Sequence, residues 1–185
     1  MNNQPETWKR ERSEEVADAR VFKVRRDFSA RESDNLEHTF FVIENPDWVN
    51  VVALTKENEV ILIQQYRHGA EEIVLEIPGG MVDNNERAEV CAARELLEET
   101  GYAPREMISL GKSRPNPAIQ NNWIYHFLAL DCDKIKDTAF DEHENIVTKL
   151  VSLKEIEQLI ESGEITHSLV LAAFYKFMLK SSNQL

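Results

Sequence analysis

Short apolar runs alternate with polar turns along most of this chain. Residues 38–43 and 49–54 read as strands on either side of the turn-like Glu44-Asn45-Pro46-Asp47. The polar Lys56-Glu57-Asn58-Glu59 is the next turn, and it leads into the apolar run 60–66, so a hairpin is predicted there. Residues 73–77 form another short apolar strand, stopped by Pro78-Gly79-Gly80. Asp83, Asn84 and Asn85 offer capping side chains before a helical stretch over 86–100 that ends at Gly101. Strands follow around 107–110, 123–130 and 146–151, then helices over 154–162 and 168–180 with Gly163 as the break. Near the start, 16–25 alternates enough to predict a strand, while the first 15 residues are polar and charged, with Trp8 the only aromatic. That arm is expected to be disordered or packed on something else. The mixture is α+β or three-layer α/β/α rather than regularly alternating βαβ.

At 185 residues there is room for one domain with a full core and not for two ordinary ones. No apolar run approaches the roughly 18 residues of a membrane span, and no secretion signal is visible. Cys91 and Cys132 lie far apart without metal-ligand spacing, which reads as two buried thiols in a reducing cytoplasm. The net charge of −12 disfavours nucleic-acid backbones and anionic membranes as partners. A small anionic substrate remains compatible if divalent cations stand between it and the protein, and clustered carboxylates would hold them.

Such a cluster lies in the 86–100 helix. Glu95, Glu98 and Glu99 stand at i, i+3 and i+4 and share one face, with Arg94 the cation beside them. Ala88, Ala92, Ala93, Leu96 and Leu97 spread apolar surface over much of the rest. Hard oxygen ligands in a cluster suit Mg²⁺ or Mn²⁺, which in turn bind phosphate oxygens. The Pro78-Gly79-Gly80 turn lets backbone carbonyls approach the same place. Three glutamates alone are most often a solvated acidic face. The full spacing is more specific: Gly80, five residues, Glu86, seven residues, Arg94-Glu95, Leu96, one residue, Glu98-Glu99, one residue, Gly101. Seven fixed positions match by chance on the order of 10⁻⁹ times per start site.

This segment resembles the Nudix box at every fixed position, with Tyr102 in the place of a bulky aliphatic residue. The resemblance implies a Nudix-type α/β/α sandwich with a mixed sheet and an N-terminal β extension. It implies that Glu95, Glu98 and Glu99 bind the divalent ions and that the Gly79 carbonyl completes the shell. It gives Arg94 the role of orienting the glutamates and Glu86 that of stabilising the loop-helix geometry. Within the family the chain is most similar to the ADP-ribose and nucleoside-diphosphate-sugar pyrophosphatases. Leu75-Glu76-Ile77-Pro78-Gly79-Gly80 resembles their glutamate-x-proline-alanine-glycine segment, with Gly79 replacing alanine. Gln65-Tyr66-Arg67 resembles their glutamine-x-arginine strand end, and Pro117 lies where that group carries a proline. Arg67, Glu76, Met81 and Pro117 are thereby expected at the substrate, and Trp48 either stacks on a base or packs in a core or dimer interface. The stretch Ala118-Ile119-Gln120-Asn121-Asn122 departs from the commoner glycine-containing form, which leaves the sugar open.

The expected reaction is water attack on a diphosphate, giving NMP and a sugar phosphate, with Mg²⁺ or Mn²⁺ as Lewis acid. Because the box glutamates are committed to metal, the general base is expected on the acidic loop Asp141-Glu142-His143-Glu144. Glu142 is preferred to Glu144, which would then contact metal or substrate; His143 is a weaker rival. Residues 1–37 are expected to form an arm and strand that builds a homodimer, since 16–25 has no obvious hairpin partner, and 38–185 the hydrolase domain. Competing readings are a Nudix hydrolase of a dinucleoside polyphosphate or modified nucleotide, and a non-catalytic nucleotide-sensing module.

Overall fold

The apolar strand runs from residue 49 onward assemble into one sheet, both of whose faces are covered. The computed structural model describes residues 4–138 and 145–182. The strands are β1 (Trp8–Asp18), β2 (Lys23–Arg31), β3 (Glu37–Glu44), β4 (Trp48–Thr55), β5 (Glu59–Arg67), β6 (Glu72–Glu76), β7 (Gly79–Met81), β8 (Tyr102–Ala103), β9 (Glu106–Ser113), β10 (Ile124–Lys134) and β11 (Val147–Ser152). The helices are α1 (Ala88–Thr100), α2 (Ile156–Glu161), entered through a 3₁₀ turn, and α3 (Ser168–Ser182). By contact density the chain divides into two compact units, Met1–Pro46 with Arg114–Trp123, and Asp47–Ser113 with Ile124–Leu185.

In the larger unit the central order is β11-β5-β4-β10-β8, with β6 on β5, β7 on β4 and β9 on β10. The β4–β10 pair is parallel and the others are antiparallel, so the sheet is mixed. Alternate residues sort to opposite faces. Val49, Val51, Ala53, Ile61, Phe127 and Ala129 pack with Cys91, Ala92 and Leu96 of α1. Val52, Leu54, Val60, Leu62 and Leu128 pack with Ile156, Val170, Ala173 and Phe174 of α2 and α3. A strand buried on both sides reads as a nearly continuous apolar run, which is the pattern of 49–54. The result is the expected α+β, three-layer sandwich. α1 ends at Gly101, whose φ of 78° is left-handed and whose N–H donates to Leu97 O at 2.9 Å.

The smaller unit carries an antiparallel sheet in the order β1-β2-β3. The strand predicted over 16–25 straddles its first hairpin: β1 stops at Asp18, Arg20 turns at φ 67°, and β2 starts at Lys23. The Asp18 carboxylate accepts the Arg20 N–H at 2.9 Å, a side-chain-stabilised turn that outweighs the local alternation. The segment therefore has hairpin partners of its own. From Trp8 onward the polar arm is strand too, since cross-strand pairs such as Lys23 with Glu15 and Asp18 let an exposed edge carry charge. As predicted, the strand over 73–77 stops before Pro78: β6 ends at Glu76, and the chain then enters the sheet again as β7 beside β4. One further prediction needs correction. Helix α1 begins at Ala88 without a side-chain cap, because Glu86 is drawn to Arg94 instead of continuing the first turn.

Two of the polar side chains buried in the larger unit lie side by side on its central strands. Asn50 of β4 and His126 of β10 are buried and in parallel register. The Asn50 amide nitrogen donates to Leu169 O at 2.9 Å, so its oxygen faces His126 Nδ1 at 2.7 Å. Nδ1 is then the protonated nitrogen, and Nε2 accepts the Ser113 hydroxyl at 2.7 Å. Burial, reinforced by Lys176, pushes the imidazole down from 6.5 to about 4. As pH falls through 6.5 the unfolded chain takes up this proton first. Stability is therefore complete above 6.5 and falls between 6.5 and about 4, by up to about 3 kcal/mol. We expect the His126 ring resonances in an NMR titration to be unchanged at pH 5; a midpoint near 6.5 would contradict the assignment.

Candidate active site

The acidic face of α1 is organised by one guanidinium. Arg94 Nε and Nη2 donate to the two Glu86 oxygens at 3.0 and 2.9 Å. Its Nη1 donates to Glu95 Oε1 at 2.8 Å and to Glu98 Oε2 at 3.2 Å. Fork geometry lets a single Arg serve carboxylates on a loop and on two helix positions at once, which Lys could not do. The Arg94 hydrogen bonds hold the Glu86 carboxyl down at about 2, and the carboxylates in turn raise Arg94. Glu99 is buried and accepts the Gly79 N–H at 2.9 Å. Cys91, buried under this turn, donates its thiol to Met81 O at 3.3 Å, and burial pushes it up to about 12, so it is an inert spacer.

Strand β7 brings the glycines to this face. Gly80 lies against Glu95, where an added Cβ would fall 2.4 Å from the carboxyl carbon. Gly79 is wedged against β4, and a Cβ there would fall 2.3 Å from Val49 O. Among the described residues no three acidic, His or Cys side chains already converge as a cation-holding group. Glu95 and Glu98 turn to Arg94, and Glu99 turns to the Gly79 N–H. The donor set nonetheless fits a hard divalent cation in kind: carboxylates on one helix face, beside a backbone strand that carries no Cβ at Gly79 or Gly80.

A second cluster lies at the ends of β5 and β6. Arg67 donates to both oxygens of Glu76, at 2.8 and 2.6 Å. Glu76 is 3% exposed. Burial opposes its charge, but the two bonds from Arg67, helped by the nearby His167 with Nδ1 3.6 Å away, hold the carboxyl at about 2. The Arg67 side chain, 43% exposed, is thus aligned by a carboxylate from inside. Trp48 and Met81 are direct cross-strand partners on β4 and β7, so their side chains share a face. Pro117 belongs to the 114–123 segment of the smaller unit, where Ile43 N–H donates to Ile119 O at 2.7 Å. Glu142 and Glu144 lie outside the described residues.

A family profile, the NUDIX domain, matches residues 44–174, which include the whole box. The chain belongs to the Nudix family. It is 29% identical over 144 residues to an ADP-ribose pyrophosphatase of Bacillus subtilis, covering 77% of this chain and 78% of that one. It is 31% identical over 142 residues to the methanol dehydrogenase activator of Bacillus methanolicus, covering 76% and 77%. A GDP-mannose pyrophosphatase of Escherichia coli K12 is 28% identical over 148 residues, covering 75% and 77%. Among solved structures, an ADP compounds hydrolase superposes with a TM-score of 0.83 at 22% identity, covering 98% of this chain and 96% of the other; that likeness shows the fold. Together these make the chain a Nudix hydrolase.

Sequence reasoning missed Asn50, His126 and His167. The signal for the first two was present, since each is a polar residue inside an otherwise apolar strand run. His167 has no such mark, because only the packing of the α3 entry against β6 brings it to Glu76.

The two box-proximal glycines should respond differently to a methyl group. Gly79→Ala forces backbone apart at β4 and should destabilise the protein by roughly 2 kcal/mol or more. Gly80→Ala meets only the far end of Glu95, so it should cost less than about 1 kcal/mol in stability while lowering turnover at least roughly tenfold by displacing that carboxylate. Urea unfolding beside steady-state kinetics separates the two; similar melting and similar activity for both variants would contradict the geometry.

Proposed function

We propose that this protein hydrolyses the diphosphate bond of ADP-ribose or a related nucleoside diphosphate sugar, releasing NMP and a sugar phosphate. The observation that carries the reading is the carboxylate face of α1, held by Arg94 against the Cβ-free backbone of Gly79 and Gly80. The names of its relatives favour a nucleotide sugar over a dinucleoside polyphosphate. An intact set of box glutamates favours catalysis over sensing. Glu95, Glu98, Glu99 and the Gly79 carbonyl would hold Mg²⁺ or Mn²⁺, which when bound supplies charge neutralisation for the diphosphate and Lewis acidity.

The chain's own groups account for the rest. Arg67, aligned by Glu76, meets the substrate's negative charge and fixes its position. Trp48 and Met81 offer a shared apolar face to the base or sugar. Water forms a bond to one phosphorus as the bridging P–O bond breaks. Its proton passes to Glu142, or else Glu144, and the bridging oxygen leaves with the other phosphate. The two free thiols are both buried, which accords with a reducing cytoplasm, and among the described residues no helix is long and apolar enough to cross a membrane.

Release of phosphate from ADP-ribose, ADP-glucose and GDP-mannose in a phosphatase-coupled assay tests the substrate class. Glu99→Gln should lower kcat roughly 10²-fold or more with the fold intact, and EDTA should abolish activity. One of Glu142→Gln and Glu144→Gln should lose kcat at nearly constant KM. Wild-type turnover in all three variants, or activity surviving EDTA, would refute the mechanism.

A homodimer is the assembly we propose. Its support is the smaller unit's sheet, which carries exposed Phe40, Phe41 and Val16, in a unit with no helix of its own among the described residues. Light scattering should give twice the chain mass at micromolar concentration, and a monomer there would exclude it.

A further inference from the structure

A polar side chain in a buried strand costs free energy unless its hydrogen bonds are made. β4 is apolar on both faces, yet Asn50 stands in its middle. In register, Asn50 lies opposite Gly79 of β7 on one side and His126 of β10 on the other. A Cβ on Gly79 would fall 2.9 Å from Asn50 Cα, so the two backbones are in closest approach, and Gly79 cannot be displaced toward β4 unless Asn50 yields. The neighbouring Val51 N–H donates to Pro78 O at 2.9 Å, which ties the preceding residue to the same strand.

Asn50 itself is held from three elements. Ser113 of β9, His126 of β10 and Leu169 of α3 form one continuous hydrogen-bonded chain with it, at 2.7, 2.7 and 2.9 Å. On the opposite side, Glu99 takes the Gly79 N–H. The Gly79 peptide thus stands between a carboxylate of the acidic face and the strand that carries the buried polar chain, which among the described residues hydrogen-bonds β9, β10 and α3 instead of that face. A hydrophobic pair would fill the same core volume without orienting anything. The polar pair fixes both the rotation of the Asn50 amide and the spacing of β4, β10 and α3.

We propose that Asn50 and His126 are positioning residues for the divalent-cation site, setting where the Gly79 carbonyl stands relative to Glu95, Glu98 and Glu99. The inference rests on the cation-binding reading of that face. Its test is Mn²⁺ affinity of the full chain without substrate, read from the EPR signal of free Mn²⁺, alongside thermal melts. His126→Leu should weaken Mn²⁺ binding roughly tenfold or more, as loss of outer-shell partners does at metal sites. His126→Gln keeps an N–H for Asn50 and should stay within about threefold of wild type. Ser113→Ala, which leaves the ring in place, should fall between them and serves if His126→Leu does not fold. A lower melting temperature with unchanged Mn²⁺ affinity in the folded variants overturns the proposal, as does an equal loss in His126→Gln and His126→Leu. Absence of Mn²⁺ binding by the wild-type chain would instead overturn the cation reading itself.

Discussion

The site depends on Arg94. Carboxylates at positions 95, 98 and 99 of one helix repel, and burial of Glu99 sharpens the cost. One planar guanidinium offsets part of this by bonding Glu86, Glu95 and Glu98 together. In doing so it anchors the loop before α1 to the helix, takes Glu86 out of the helix's first turn and leaves Arg87 as an uncapped N-terminus. A lysine, with a point charge, could neutralise one carboxylate and would not set the angles among three.

That arrangement needs a rigid backing, which the sheet provides. Leu96 and Ala92 are fully buried against the Val49, Val51 and Ala53 face of β4, and burying a Leu side chain contributes roughly 1.5–3 kcal/mol. The opposite face of the same strand is packed by α3. β4 therefore cannot tilt without opening one of two cores, and β7, paired to it, inherits that rigidity. Gly79 and Gly80 are small because each is pressed on one side: the first by backbone, the second by a carboxylate.

The Arg67–Glu76 pair applies the same logic at the sheet end. Here the carboxylate is inside and the cation is at the surface, so the buried group orients the exposed one. Removing either partner leaves a charge uncompensated, which makes such a pair a positioning device more than a source of stability.

Much of this was legible in the residues. Apolar runs of strand length, the helical spacing of the alanines and leucines of α1, and the glycine at its end follow from backbone and side-chain periodicity, which is local. The i, i+3, i+4 carboxylates share a face by helix geometry alone, and the box spacing carried the family. What local pattern could not decide was pairing. The turn at 19–22 was hidden because Arg20 is an unusual residue for a left-handed backbone, and only the partner strands show where the hairpin folds. The return of 79–81 into the sheet and the meeting of Trp48 with Met81 require strands distant in sequence to lie in register, and the grip of Glu76 on Arg67 depends on how the β5–β6 hairpin pairs. Asn50 and His126 are 76 residues apart and carry no spacing that links them; hydrogen bonding in a low-dielectric core is decided by tertiary packing, and it joins them behind the site.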